Sequence, residues 1–158
     1  MAKLYFHYST MNAGKSTILL QAAHNYAERG MDTYLITARF DGRAGEGKIA
    51  SRIGIGMPAD TFDASSDLFE MIRNRMAQGD IACVLIDEAQ FLSSAQVWQL
   101  ARAADDLHVP VMCYGLRVDF LGNLFPGSAT LLALADDMRE VRTICHCGKK
   151  ATMVVRRD

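Results

Sequence analysis

A chain of 158 residues, half of them hydrophobic and 22% charged, can build one well-buried core and rarely two. Its formal net charge of −1 leaves no basic surplus, which argues against a nucleic-acid-binding surface. No apolar run approaches the ~18 residues that a membrane-crossing helix needs, and the opening residues carry no signal-peptide pattern. A cytoplasmic setting with neither membrane nor nucleic acid as partner is therefore expected. Of the four cysteines, Cys83 and Cys113 stand singly in apolar runs and read as core thiols. Cys145 and Cys147 form a separate pair, and nothing implies a disulfide framework.

In chain order, residues 4–8 form a short apolar run that reads as a strand. From Lys15 the period becomes helical, with Ile18, Leu19, Ala22, Ala23, Tyr26 and Ala27 on one face and Gly30 as a stop. Residues 33–38 read as a second strand. Residues 40–58 hold Gly42, Gly45, Gly47, Gly54 and Gly56 and read as a long mobile loop; a flexible surface loop is the simple reading and a functional loop the other. Leu68, Phe69, Ile72 and Met76 mark an amphipathic helix, and residues 81–86 are a continuous apolar run suited to the middle of a parallel sheet. Ser93 or Ser94 caps a helix containing Val97, Leu100, Ala101, Ala104 and Leu107. Residues 109–114 form another buried strand, and 151–155 a short extra one. Strand and helix alternate, which predicts an α/β fold: a parallel sheet with helices on both faces.

Between the first strand and first helix lies YSTMNAGKST, residues 8–17. Its second half matches G-x-x-x-x-G-K-[ST], with Ser9 in place of the opening glycine. Such a loop turns successive backbone N–H groups into one concavity at a helix N-terminus. Gly14 and the small Ala13 let the backbone approach phosphate, Lys15 reaches the β/γ-phosphates, and the Ser16 hydroxyl binds Mg²⁺. The missing glycine serves the turn out of the strand, where serine is also tolerated. A chance GKS at a helix start is the competing reading, and the strand-loop-helix context argues against it.

The run Val84-Leu85-Ile86 ends in Asp87-Glu88, the pattern of an apolar strand delivering two carboxylates beside a phosphate loop. Asp87 is then placed to hold Mg²⁺, and Glu88 to take a proton from a nucleophile. A solvated acidic turn is the bland alternative. No N-K-x-D guanine-reading motif occurs and no cluster of extra arginines resembles a motor's finger, which leaves an ATP user with a carboxylate base, suited to transfer to a hydroxyl.

These residues resemble a known family. YSTMNAGKST, residues 25–31 (NYAERGM), 51–54 (SRIG), 85–92 (LIDEAQFL), 110–120 (PVMCYGLRVDF) and 143–151 (TICHCGKKA) are similar, in order along nearly the whole chain, to the zinc-containing cytosolic-type thymidine kinases of the bacterial branch. The resemblance implies a RecA-like P-loop domain over 1–142, followed at 143–158 by an incomplete zinc-ribbon and lid region. It implies a homotetramer that moves the γ-phosphate of ATP to the 5′-hydroxyl of thymidine, inhibited by thymidine triphosphate, with Glu88 as proton acceptor. It places ATP contacts at Ser9, Thr10, Met11, Asn12, Ala13, Gly14, Lys15 and Ser16, and at Asp87, Glu88, Ala89 and Gln90.

A pyrimidine needs an apolar slot with a few polar contacts, which Met11, Phe91, Leu116, Phe120 and Phe125 could line; for Phe120 and Phe125, core packing is an equal reading. Arg52 either approaches the phosphates or faces solvent. Cys145 and Cys147 are placed as two ligands of a structural zinc, which needs four. Two exposed thiols on a turn are the alternative. The half-site leads to the expectation that further chain carries the other ligands and the thymidine lid. A P-loop ATPase whose zinc knuckle engages nucleic acid is the rival function.

Overall fold

The computed structural model describes residues 3–9, 15–39, 48–50, 56–118 and 122–141. In chain order these form β1 (Leu4–Ser9), α1 (Lys15–Glu28), β2 (Thr33–Ala38), β3 (Lys48–Ala50), β4 (Gly56–Pro58), β5 (Asp60–Phe62), α2 (Leu68–Met76) and β6 (Cys83–Ile86). A single 3₁₀ turn (Ala89–Phe91), α3 (Ser94–Asp106), β7 (Val111–Leu116), α4 (Pro126–Leu134) and β8 (Asp137–Glu140) follow. Six strands make one sheet in the order β5-β2-β6-β7-β1-β8, and each pairing is parallel. The predicted α/β architecture is thus the observed one.

An all-parallel sheet must be covered on both faces, so its central strands are apolar on both. All four residues of β6 are buried. Alternate side chains divide the core into two layers. Leu35, Cys83, Leu85 and Tyr114 meet Leu19, Leu20 and Ala23 of α1 on one face. Phe6, Ile36, Val84, Ile86, Val111 and Cys113 meet Leu68 and Ile72 of α2, Leu100 and Ala103 of α3, and Leu131 of α4 on the other. Both expected core thiols are buried, and burial pushes Cys83 up to about 11 and Cys113 higher still, so neither ionises near neutral pH.

The connections explain where the helices begin. Ser93, not Ser94, caps α3: its Oγ accepts from the Gln96 N–H at 3.1 Å, while Gln96 Oε1 accepts from the Ser93 N–H at 3.0 Å. Gln96 Nε2 then donates to the carbonyls of Asp63 and Ser66 at 2.7 and 3.1 Å, binding the start of α3 to the chain ahead of α2. Asp67 caps α2 through the Glu70 N–H at 3.1 Å.

The reading of residues 40–58 as one loop is corrected at 48–50 and 56–58, while 40–47 and 51–55, Arg52 among them, lie outside the described residues. β3 and β4 pair antiparallel there as a hairpin, Ile49 opposite Met57, and β5 follows at once as the sheet's edge. Three-residue strands are too short to show a period of two, and the glycines masked them. β6 begins at Cys83 rather than 81, and β7 runs two residues later than 109–114. β5, the 3₁₀ turn, α4 and β8 were not foreseen. α4 opens Pro126-Gly127-Ser128 after a Phe125 N-cap without a side-chain bond. β8 reads Asp137-Met138-Arg139-Glu140, a charged edge strand with no apolar run. The expected strand at 151–155 lies outside the described residues.

Fully buried Leu100 belongs to the core, where truncation to alanine costs about 2–5 kcal/mol; a helix cap is worth about 0.5–2 kcal/mol. Ser93→Ala should therefore lower the unfolding free energy, read from urea titrations, by about 0.5–2 kcal/mol. Ser94→Ala, which loses an exposed hydroxyl contact to Thr130, should cost less. A larger loss at Ser94 would contradict the capping assignment.

Candidate active site

Parallel strands deliver all their carboxyl ends to one edge of the sheet, where open α/β folds place their ligands. Ser9 closes β1 opposite Leu116 of β7, and Ile86 of β6 lies opposite Cys113 of β7. β7 thus stands between the strand that feeds the phosphate-loop motif and the strand that feeds the acid pair.

Ser9 is 4% exposed and belongs to the strand ladder. Its φ is not positive, so the backbone makes no demand for glycine here. Its Oγ has no hydrogen-bond partner among the described residues, and neither has Nε2 of His7, which points to the same face. The His7 ring stacks on Tyr114 with centroids 4.5 Å apart and planes at 10°. Burial, with Arg139 adding to it, holds the His7 pKa below its ordinary value and keeps the imidazole neutral at pH 7. Thr10, Met11, Asn12, Ala13 and Gly14 lie outside the described residues. Lys15 and Ser16 are the first two residues of α1, the position the motif requires, and their side chains lie outside the description.

Asp87 leaves β6 with its N–H donating to the Ile36 carbonyl at 2.8 Å, and is 4% exposed. Its Oδ1 accepts from the Glu88 N–H at 2.9 Å. Glu88 is half-buried and left-handed, φ 57° and ψ 41°. Among described non-glycine residues only His108 shares a positive φ, and His108 follows the C-cap of α3, where such a residue is ordinary. Glu88 ends no helix. A left-handed L-residue costs about 1–2 kcal/mol, so its surroundings must hold it. The Phe91 N–H donates to the Glu88 carbonyl at 3.1 Å, and Leu92 N–H to Ala89 at 3.1 Å, closing the turn.

Gln90 is 3% exposed, and its Oε1 accepts from the Leu116 N–H at 3.1 Å. The turn comes so near β7 that a Cβ on Gly115 would stand 2.7 Å from Gln90 Oε1 and 2.9 Å from its backbone nitrogen. On the other side, a Cβ on Gly127 would stand 2.5 Å from the Leu92 carbonyl oxygen. Ser128 Oγ donates to the Leu116 carbonyl.

Two of the aromatics expected around a base meet. Phe91 and Phe125 lie edge to face, centroids 6.0 Å apart at 64°, with Phe91 47% exposed. Leu116 is half-buried between the chains that carry them. Phe120, like Met11, lies outside the described residues. The sequence reading missed Ser128, Gly115, Gly127 and Arg117, whose guanidinium stands 5.4 Å from the Tyr8 ring centroid. A lone glycine inside a strand pattern was the available signal for Gly115. Ser128 had none.

For a cation, the buried Asp87 carboxylate at the strand end offers the hard oxygen donor that Mg²⁺ prefers, which fits the expectation. Among the described residues no group of three or more His, Cys, Asp or Glu is set to hold a metal ion. Cys145 and Cys147 lie outside them. A cleft of about 680 Å³ opens away from this edge, among Ala27, Thr33, Tyr34, Met71 and Arg75. There Tyr34 Oη donates to Asp60 Oδ2 at 2.5 Å. It lies at the amino-terminal half of β2, so its size is no argument that the chemistry is there.

Comparison with known proteins agrees with the geometry. The family profile described as thymidine kinase matches residues 2–158. A thymidine kinase of Ruegeria pomeroyi is 74% identical over 158 residues, covering 100% of this chain and 80% of that protein. One from a Jannaschia species is 73% identical over 156 residues, 99% of this chain and 80% of the relative. One from Agrobacterium fabrum is 64% identical over 158 residues, 100% of this chain and 82% of the relative.

The atoms that a Gly115 Cβ would meet include backbone nitrogens of Gln90 and Ala89, which cannot swing aside. Gly115→Ala should therefore lower the unfolding free energy by about 1–3 kcal/mol, the usual cost of overpacking. Unchanged denaturant midpoints would show that the turn is not pressed against β7.

Proposed function

The chain belongs to the thymidine kinase family, and on that premise we propose that it transfers the γ-phosphate of ATP to the 5′-hydroxyl of thymidine. The observation that carries this reading is Glu88, held left-handed at the carboxyl end of β6 within three residues of the Phe91–Phe125 pair. Backbone strain of this kind persists where the surroundings over-determine it, and it gathers at active sites.

In this reading residues 9–16 cradle the triphosphate and Lys15 reaches the β/γ-phosphates. Ser16 and Asp87 would hold Mg²⁺, which would supply charge neutralisation for the phosphates. Glu88 accepts the proton of the 5′-hydroxyl as that oxygen bonds to the γ-phosphorus and the bond to the β-phosphate oxygen breaks, so that ADP leaves. Phe91, Leu116 and Phe125, joined by Met11 and Phe120, form the apolar walls of the thymine slot. Phe91's exposure supports this, because a ring that packs only the core has no reason to stay half open. The finer parts of the proposal are a structural zinc held in part by Cys145 and Cys147, a homotetramer, feedback inhibition by thymidine triphosphate and a cytoplasmic location. They rest on the family resemblance and the cysteine spacing. Division into a kinase domain at 1–142 and a zinc and lid region from 143 stands on the same ground.

Glu88→Gln tests the proposal directly. The amide is nearly isosteric but accepts no proton, so thymidine phosphorylation should fall by about 10²–10⁴-fold. Titration calorimetry should show ATP affinity little changed, since Asp87, Ser16 and Lys15 remain. A collapse of affinity at full turnover per bound nucleotide would make Glu88 a binding residue instead.

Lys15→Ala should nearly abolish phosphoryl transfer, because the motif supplies no second cation for the β/γ-phosphates. Wild-type turnover in that variant would refute the phosphate-loop assignment.

A further inference from the structure

The Leu116 peptide is gripped from both sides. Its N–H donates to Gln90 Oε1 at 3.1 Å, and its carbonyl accepts from Ser128 Oγ. Gln90 is 3% exposed and Ser128 fully buried, so water cannot replace either contact without opening the turn. Gly115 and Gly127 make the approach possible, since a Cβ on either would stand closer than 3.0 Å to an atom of the 89–92 segment. The 3₁₀ turn is therefore wedged between the end of β7 and the start of α4. Glu88 stands at the head of that turn and Phe91 at its tail, while Leu116 and Phe125 belong to the two walls. Gln90 is the turn residue whose side chain reaches across to β7.

We propose that Gln90 is a positioning residue that fixes Glu88 against the nucleoside wall at Leu116; the inference rests on the reading of Glu88 as proton acceptor. A nucleotide contact was the role expected for Gln90 from family resemblance. Its Oε1, engaged on the Leu116 N–H, gives it a positioning role as well. With Oε1 engaged on Leu116, the side chain acts on the reaction through the geometry of the turn. It holds the left-handed Glu88 at a set distance from the strand end that lines the base.

The test compares Gln90→Leu, which keeps the bulk and loses the acceptor, with Gln90→Glu, which keeps an acceptor for the Leu116 N–H. Both are made in the full chain, alone and combined with Glu88→Gln. Gln90→Leu should lower kcat by about 10- to 100-fold, the scale of a misplacement near 1 Å, while ATP affinity by calorimetry stays within about threefold. Gln90→Glu should retain more turnover than Gln90→Leu. In the Glu88→Gln background the Leu substitution should cost less than about threefold, because no proton acceptor is left to position. The same fold-loss in both backgrounds, or loss of ATP affinity with kcat unchanged, overturns the proposal. Wild-type turnover of Glu88→Gln alone would instead remove the base assignment, a separate result. Should Gln90→Leu fail to fold, Gln90→Asn shortens the reach by one methylene and carries the comparison: it should lose more kcat than Gln90→Glu, and the reverse order counts against the idea.

Discussion

The position of β7 between β1 and β6 is the constraint on which the active edge depends. Parallel pairing fixes Ser9 opposite Leu116 and Ile86 opposite Cys113, so the phosphate-loop strand and the acid-bearing strand are spaced by one strand and cannot drift. A slip of one residue would turn β7's side chains to the opposite faces, sending Val111 and Cys113 out of one core layer and Tyr114 out of the other. The strand ends that lead to Ser9 and Asp87 are therefore held by the sheet's register. Burial on both faces, with α1 on one and α2, α3 and α4 on the other, makes that register expensive to change.

That register is then used to hold an unfavourable backbone. The left-handed Glu88 costs about 1–2 kcal/mol, while a net hydrogen bond returns about 0.5–1.5 kcal/mol. The Phe91–Glu88 and Leu92–Ala89 bonds and the Gln90–Leu116 contact together outweigh the cost. None would suffice if exposed to competition from water, and the burial of Ala89 and Gln90 prevents that. Gly115 and Gly127 matter for the same reason: they let backbone approach backbone closely enough to exclude solvent.

Much of this was legible in the sequence, because the signals were local and strong. A continuous apolar run gave β6, a period of 3.6 gave α1 and α2, and a serine pair ahead of an apolar helical face marked the cap of α3. Acid residues directly after an apolar strand marked Asp87 and Glu88. What escaped depended on distant partners. The β3–β4 hairpin is made by cross-strand pairing of three-residue segments, β8 is charged because it is an edge, and α4 carries Gly127 where it presses against the 89–92 segment and Ser128 where it reaches Leu116. Family resemblance named Gln90, but only the fold reveals that its amide turns inward, since the distance to Leu116 spans 26 positions in the chain.

The same separation of local from distant signals settles what Ser9 means. Read as a motif, serine in place of the first glycine looks like damage to the phosphate loop. In the fold that position is still strand: Ser9 pairs with Leu116 and has no positive φ, so nothing there requires glycine. The substitution instead introduces a hydroxyl that is buried and unpartnered among the described residues, close in sequence and facing to the equally unpartnered His7 Nε2. A buried hydroxyl calls for a hydrogen-bond partner, and the residues that follow Ser9 lie outside the described ones. The edge that carries the chemistry thus makes two demands on either side of β7, a left-handed backbone after β6 and a buried hydroxyl at the end of β1. Both are borne by a sheet whose core is apolar on both faces, and that division of labour is what lets a small domain keep a strained active edge.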